Sequence, residues 1–199
     1  TRTGPSGTFY MSWDGAAPSN GCINNSSAIS KFEEIPSGSG SFKRSYVITG
    51  DGYGFTEAWH YYSDNACAVE TGFISLSHNN LATSDNITIA GPPSSYPSVA
   101  TKVTYKTFRK CLLAETDAVE THIEDMSDGE FSLTKGTAFD QVDDEATDNQ
   151  TTIWTVLDNR SDQTINWLYT EGERMDNTYP DNFTSNDGTI WHAGDNITR

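Results

Sequence analysis

Residues 54–67 read GFTEAWHYYSDNAC, a run rich in aromatic residues that ends at a cysteine. Side chains of a strand alternate between its two faces, so Phe55, Trp59 and Tyr61 are expected to share one face. The segment Phe42–Thr49 before it is also rich in β-branched and aromatic residues, and residues 49–52 between the two runs read TGDG. Glycines in that position are typical of a turn, so this part of the chain predicts a β-hairpin with one aromatic face.

Most other ordered segments also predict strands. Each of these segments is rich in β-branched or aromatic residues, which are typical of strands. The segments are Thr8–Trp13, Gly72–Ser77, Ile87–Ala90, Ala100–Phe108, Thr151–Leu157 and Thr164–Thr170. Polar or acidic segments between them are predicted to be loops: Pro36–Ser41, Asp140–Gln150 and Gly172–Gly188.

One segment, Thr116–Met126, has a helical period instead. Val119, Ile123 and Met126 recur at i, i+4 and i+7, and the Thr116 hydroxyl is placed to cap the first turn. Strands with one short helix, no alternation of strand and helix, and no shift of composition predict a single all-β domain over residues 1–199. The architecture is expected to be a barrel or a sandwich.

Two more strands repeat the aromatic alternation of residues 55–61. One set is Val99, Val103 and Tyr105, and the other is Ile165, Trp167 and Tyr169. For each residue alone, packing in the core is the simpler interpretation. Together they favour a barrel interior, which at about eight strands is either just filled or wide enough for one small ligand. The candidate ligand-binding residues are Phe55, Trp59, Tyr61, Tyr105, Trp167 and Tyr169.

The charge of the chain limits its partners. Twelve Lys and Arg stand against 28 Asp and Glu, a net charge of −16, which repels nucleic acids and anionic membranes. No apolar run approaches the roughly 18 residues of a spanning helix, so no membrane span is expected.

Two features point to secretion. Seven N-x-Ser/Thr sequons occur where about three are expected from the composition; they begin at Asn24, Asn25, Asn86, Asn149, Asn159, Asn182 and Asn196. The three cysteines, Cys22, Cys67 and Cys111, lack C-x-x-C spacing, so in an oxidising compartment two are expected to pair. We therefore expect a secreted, acidic glycoprotein.

Catalytic motifs are absent from the sequence. The four histidines lack metal-site spacing, no Gly-x-Ser-x-Gly elbow occurs, and carboxylates such as Glu57 are too common to define a pair. The chain is therefore expected not to be an enzyme and to need no metal or enzymatic cofactor. A hydrolase is therefore kept as a third hypothesis for the function, less favoured than the two binding functions described below.

The order of motifs resembles a known family. Trp13 precedes Cys22, FKRSYVI follows at residues 42–48, WHYYSDNAC at residues 59–67, and VTYK at residues 103–106. Over residues 8–125 this is similar to the domain of the Wnt-inhibitor family named for being down-regulated by adenomatosis polyposis coli. One departure is that the family's Cys is usually followed by Glu-x-Arg-Pro-Gly, whereas Ile23-Asn24-Asn25 follows Cys22 here.

The resemblance implies a lipocalin-like, half-open antiparallel β-barrel with one short helix and an apolar cavity that accommodates lipid. Cys22 and Cys67 both fall in the resembling segment, which implies that they form the disulfide. Cys111 is then expected to be unpaired or to link a second subunit. The barrel mouth is the other surface where a second subunit is expected.

These expectations lead to two main functional hypotheses. The first is a secreted carrier that holds a hydrophobic small molecule: an isoprenoid or carotenoid pigment, a retinoid or a fatty-acyl lipid. The alternative is a secreted antagonist of an acylated Wnt-type signalling protein. Because members of the family carry two such domains and a membrane anchor, whereas one domain is expected here, the carrier is favoured.

Overall fold

A computed structural model describes residues 7–11, 20–24, 29, 35–49, 53–89, 98–127, 130–143, 149–157, 167–170, 178–180 and 189–193. For residues 156–157, 167, 169 and 189–193 the description covers the backbone only. Within these ranges the chain forms nine strands and one helix: β1 Gly7–Met11, β2 Ser41–Ile48, β3 Phe55–Tyr62, β4 Glu70–Thr88, β5 Val99–Ala114, α1 Asp117–Met126, β6 Phe139–Val142, β7 Gln150–Leu157, β8 Trp167–Thr170 and β9 Thr189–Ala193. The predicted all-β class is confirmed.

All the strands belong to one antiparallel sheet. Hydrogen-bonded neighbours follow the order β4-β3-β2-β1-β9-β8-β7-β5-β6, and β4 also pairs with β5. The predicted hairpin is β2–β3, in which Phe42 lies opposite Tyr61 and Ile48 opposite Phe55. The Thr49 amide donates to the Gly54 carbonyl over 3.0 Å and closes the turn end of that pair.

One face of this sheet holds the core, and we call it the buried face. Residues opposite one another in a pair share a face, so the register of β2, β3 and β4 places Tyr46, Phe55 and His78 on it together. All three are almost completely buried. The ring of Trp154 on β7 lies 6.4 Å from the rings of both Tyr46 and Phe55, although β7 neighbours neither β2 nor β3. Aromatic rings from strands that are not neighbours in the sheet therefore lie close together on its buried face.

A β-bulge changes the alternation in the middle of β5. Ser77 lies opposite Arg109 and His78 opposite Thr107, so Phe108 is an extra residue on β5. The buried residues nearest the bulge consequently have odd numbers before it, Val103 and Tyr105, and even numbers after it, Leu112 and Ala114.

The helix α1 packs near one end of the buried face through Val119 and Ile123. Its predicted cap is confirmed, since the Val119 amide donates to Thr116 Oγ1 over 3.4 Å. Gly72 permits the close approach of the helix: a Cβ there would lie 2.4 Å from the Leu113 carbonyl oxygen and 2.7 Å from a Val119 methyl group. Met126 was expected on the buried face of the helix but is 48% exposed, because it lies in the last turn of α1, beyond the residues that pack on the sheet.

Several predicted boundaries were wrong. Gly72–Ser77 and Ile87–Ala90 were predicted as separate strands, yet β4 runs through the polar residues between them and pairs along its length with β5. β6 begins at Phe139, just before the predicted loop Asp140–Gln150, and includes the first three residues of that loop, paired to the second half of β5. β9 was not predicted at all and is held between β1 and β8. In β4 and β6 pairing with β5 overrides local polarity, and β9 is paired to β1 from the other end of the chain.

The disulfide joins Cys22 and Cys67, as the resemblance implies, with a Cα–Cα distance of 5.9 Å. Cys111 has no partner within the described chain and its thiol is half-buried on β5. Burial and the Asp140 carboxylate raise the pKa of that thiol, against a smaller opposing effect of Arg109. Among the described residues, no helix has the length and hydropathy needed to cross a membrane.

Candidate ligand-binding site

Three neighbouring side chains of β2 and β3 remain partly accessible on the buried face. On β3, Phe55 and Tyr61 are almost fully buried, but Glu57 and Trp59 between them are not. Arg44 on β2 lies opposite Trp59 and is also partly exposed. We call Arg44, Glu57 and Trp59 the accessible level. These three side chains are therefore partly exposed to solvent on a face that also holds the core.

The accessible level combines opposite charges with an aromatic ring. The Arg44 guanidinium carbon lies 4.7 Å from the centre of the Trp59 ring, a cation–π contact. Arg44 Nη2 lies 3.9 Å from Glu57 Oε2, and the two side chains are 17% and 19% exposed. A paired charge with a flat apolar ring beside it suits a molecule that is mainly apolar and has one polar group.

Beyond the accessible level the buried face carries an aromatic cluster. The ring of Phe55 stacks on Tyr46 at 4.5 Å and on the His78 imidazole at 4.3 Å, and it meets Tyr105 edge-on at 4.8 Å. We define the aromatic cluster as these four residues with Trp154. Ring pairs at such distances add to the free energy gained from burial alone.

His78 is the polar member of that cluster. It is 3% exposed, and its Nδ1 lies 2.9 Å from Thr107 Oγ1. Thr107 Oγ1 in turn donates to Gln150 Oε1 over 2.5 Å. Burial lowers the pKa of His78 to about 3, so the imidazole is neutral at pH 7. Among the described residues none hydrogen-bonds its Nε2.

No family model matches the chain, and no curated protein does.

The structure brings some of the predicted ligand-binding residues together and separates others. Phe55 and Tyr105 are in contact, and Trp59 lies on the same face of β3 in the accessible level. Tyr61 lies at the opposite end of that face, where its ring meets His122 of α1 edge-on at 5.7 Å. Trp167 and Tyr169 belong to β8, and their side chains lie outside the described part of the structure.

Sequence reasoning missed the polar residues of this face. Arg44 and Glu57 are charged and so were not considered for an interior, although both alternate in step with buried aromatic residues. His78 was missed because the predicted strand ended at Ser77. The alternation of residues 42–48 and 55–61 was the signal that would have found the first two.

Metal binding is not supported by the described residues, and the polar contacts of the outer face involve only a few side chains. No three metal-ligating side chains come together among the described residues. The outer face of β2 and β3 carries His60, whose Nδ1 lies 2.5 Å from Glu70 Oε1, and Tyr62, with Lys43 Nζ 5.6 Å from its ring centre. Burial, followed by Glu70, raises the pKa of Tyr62 to about 12.

The sequons are described only in part. Asn24, Asn86 and Asn149 are exposed. The Asn24 side-chain amide donates to the Asn65 carbonyl over 2.9 Å. The other four lie outside the described residues: Asn25, Asn159, Asn182 and Asn196.

Proposed function

We propose that this protein is a secreted glycoprotein that binds and carries a hydrophobic small molecule against the buried face of its sheet. The observation that carries the proposal is the accessible level: Arg44, Glu57 and Trp59 are partly exposed on the buried face, although Phe55 and Tyr61 on the same face of β3 are almost completely buried. A face of this kind offers apolar area for affinity and a few polar groups for orientation.

The proposal includes a lipocalin-like, half-open barrel and kinship with the Wnt-inhibitor domain. The pairing pattern supports the barrel: β4 bonds to both β3 and β5, and the strands β2, β1, β9, β8 and β7 connect β3 to β5 in that order. Contacts of Trp154 with Tyr46 and Phe55, from strands that are not neighbours, also support a curled sheet that encloses its buried face.

Secretion is supported by the disulfide between Cys22 and Cys67 and by exposed sequon asparagines, such as Asn86. Disulfides persist in oxidising compartments, and N-linked glycans need an exposed acceptor.

The ligand class follows from the side chains available. Apolar contact with Trp59 and its neighbours contributes roughly 25 cal/mol per Å² of buried area before the cost of association is subtracted. Isoprenoids, carotenoid pigments, retinoids and fatty-acyl lipids are all long enough and apolar enough to use such a face. The Arg44–Glu57 pair would contact the polar end or middle of such a molecule.

The test is thermal unfolding with and without added lipophile, with retinol, β-carotene and palmitate as separate probes. A ligand present at about 100 times its Kd stabilises the folded state by about 2.7 kcal/mol. Trp59→Ala should raise Kd about tenfold and so remove about half of that stabilisation. His60→Ala is the matched control, because His60 follows Trp59 on β3 but lies on the outer face.

Two results would contradict the proposal. One is that no probe shifts the unfolding of the unaltered protein. The other is that Trp59→Ala keeps the whole ligand-induced shift while unfolding at a lower temperature, which would assign the ring to the core alone.

A further inference from the structure

The hydrogen bonds around His78 determine which of its nitrogens carries hydrogen. A threonine hydroxyl has one hydrogen, and Gln150 Oε1 can only accept, so Thr107 gives its hydrogen to Gln150. The Thr107 oxygen must therefore accept from His78 Nδ1, 2.9 Å away. In a neutral imidazole the other nitrogen then has a free lone pair. His78 Nε2 is accordingly a hydrogen-bond acceptor.

That acceptor is buried in the aromatic cluster. His78 is 3% exposed, with Phe55 stacked on its ring at 4.3 Å and Tyr105 edge-on at 4.9 Å. Nε2 is one of the ring atoms farthest from the β4 backbone, so it points off the sheet on the buried side. Among the described residues, none donates a hydrogen bond to it. A buried polar atom without a partner is costly and calls for an explanation.

We infer that His78 Nε2 accepts a hydrogen bond from a hydroxyl group of the bound lipophile, so that the protein selects alcohols over otherwise identical molecules without a donor. This inference rests on the proposed binding of a lipophile and adds the chemistry of its polar end. A carboxylate or an ether offers Nε2 only lone pairs, and an imidazole without a hydrogen on that nitrogen repels them.

Position on the sheet supports the same assignment. His78 lies opposite Phe55, and Leu76, two residues earlier on the same face of β4, lies opposite Glu57 of the accessible level. An elongated molecule that runs along this face from the accessible level would reach the aromatic cluster within two residues of strand, about 7 Å. The protein thus offers a charged pair near the middle of the molecule and one uncharged acceptor at its buried end.

Selectivity is tested with two pairs of probes: retinol against retinyl methyl ether, and cetyl alcohol against cetyl methyl ether. Each alcohol should bind about fivefold to tenfold more tightly than its ether, which is the usual range for one buried neutral hydrogen bond. His78→Phe keeps a ring to stack on Phe55 and removes the acceptor. In that variant the alcohols should fall to the affinity of the ethers, and the affinity of the ethers should not change.

Nitrogen NMR of the histidine side chains gives a second, ligand-independent measurement. His78 should carry its hydrogen on Nδ1 in the unliganded protein, and addition of an alcohol, but not of its ether, should shift the Nε2 resonance. A hydrogen found on Nε2 overturns the inference whether or not His78→Phe folds.

The outcomes separate this inference from the proposed function. Equal binding of alcohol and ether leaves lipophile binding in place and overturns the role of His78. If neither member of either pair binds while β-carotene or palmitate still shifts the unfolding, only this inference falls; if none of these lipophiles binds, both proposals fall. If His78→Phe keeps the preference for alcohols, the acceptor lies elsewhere and the assignment to His78 is wrong.

Discussion

Acid is expected to destabilise the folded chain through His78 well before the carboxylates titrate. In the unfolded chain this imidazole takes up a proton near its ordinary pKa of 6.5, whereas in the folded protein burial lowers its pKa to about 3. Between these two values the unfolded state binds more protons than the folded state. The free energy of unfolding therefore falls as the pH is lowered through that window.

The size of the effect follows from the two pKa values. Each pH unit below about 6.5 costs about 1.4 kcal/mol, so the contribution of His78 at pH 5 is a loss of about 2 kcal/mol relative to neutral pH. For a domain with a total stability of about 5–15 kcal/mol, that loss is readily measured. The loss reaches its limit near pH 3, where the folded protein also binds the proton.

Urea unfolding at pH 7, 6 and 5 measures this contribution when the unaltered protein is compared with His78→Phe. The comparison cancels groups that titrate alike in both proteins. Relative to the variant, the unaltered protein should lose about 2 kcal/mol between pH 7 and pH 5, and His78→Gln should behave as the Phe variant does. A difference that stays constant to within about 0.5 kcal/mol over that range would refute the buried, neutral state of His78.

Three further predictions concern the fold. Gly72→Ala should lower the free energy of unfolding by about 2–3 kcal/mol, since the φ of +154° and the nearby backbone leave no room for a Cβ. Gly38→Ala is the control: its φ is +86° but nothing lies within 4 Å, so it should lower the free energy of unfolding by only about 1 kcal/mol. Urea unfolding measures both values. Replacing Cys67 with Ser should lower stability by about 4 kcal/mol, the chain-entropy value for the 45-residue separation from Cys22, and an unchanged melting temperature would contradict it. The Cys111 thiol, whose pKa is raised by burial and by a neighbouring carboxylate, should react with iodoacetamide more slowly at pH 7 than a free cysteine and faster as the pH rises; equal rates at pH 7 would contradict this.

The alternation of side chains and the helix-capping residue correctly predicted those parts of the fold whose contacts join residues close in sequence. The β2–β3 hairpin and the shared face of Phe55 and Tyr61 follow from alternation over a few residues, and the start of α1 follows from the hydroxyl of Thr116. Each of these depends on neighbours within about twenty residues in the sequence, since Ser41 and Tyr62 are the most distant pair of the hairpin. That is the range over which periodicity carries information.

The errors fall where distant strands decide the structure. Val99 was predicted to share a face with Val103 and Tyr105, but it is 45% exposed while Ala100 is buried. The alternation of Val103 and Tyr105 also does not continue beyond the bulge at Phe108, because β4 pairs with β5 in two registers there. β9, at Thr189–Ala193, is a strand because β1 and β8 lie on either side of it. Neither the bulge nor β9 can be predicted from a short stretch of neighbouring residues.

Some residues of the candidate site could also be predicted from the sequence, and others could not. Aromatic residues such as Phe55, Trp59 and Tyr105 could be chosen from their spacing alone. The polar residues could not, because the role of His78 depends on hydrogen bonds that run through Thr107 to Gln150, and these three residues lie on three different strands. A hydrogen-bond network of this kind exists only after the sheet has formed.

The sharing of β5 between two partners has a consequence for how the protein opens. Its first half pairs with β7 at Thr101–Tyr105, and its second half pairs with β6 at Arg109–Leu112, with the bulged Phe108 between them. β6 is four residues long and largely exposed. Since β5 keeps its bonds to β4 along both halves, β6 can detach as a separate unit without disturbing β7. Backbone amides bonded between β5 and β6 should therefore exchange with solvent much faster than those between β5 and β7, through local unfolding and not through loss of the whole fold.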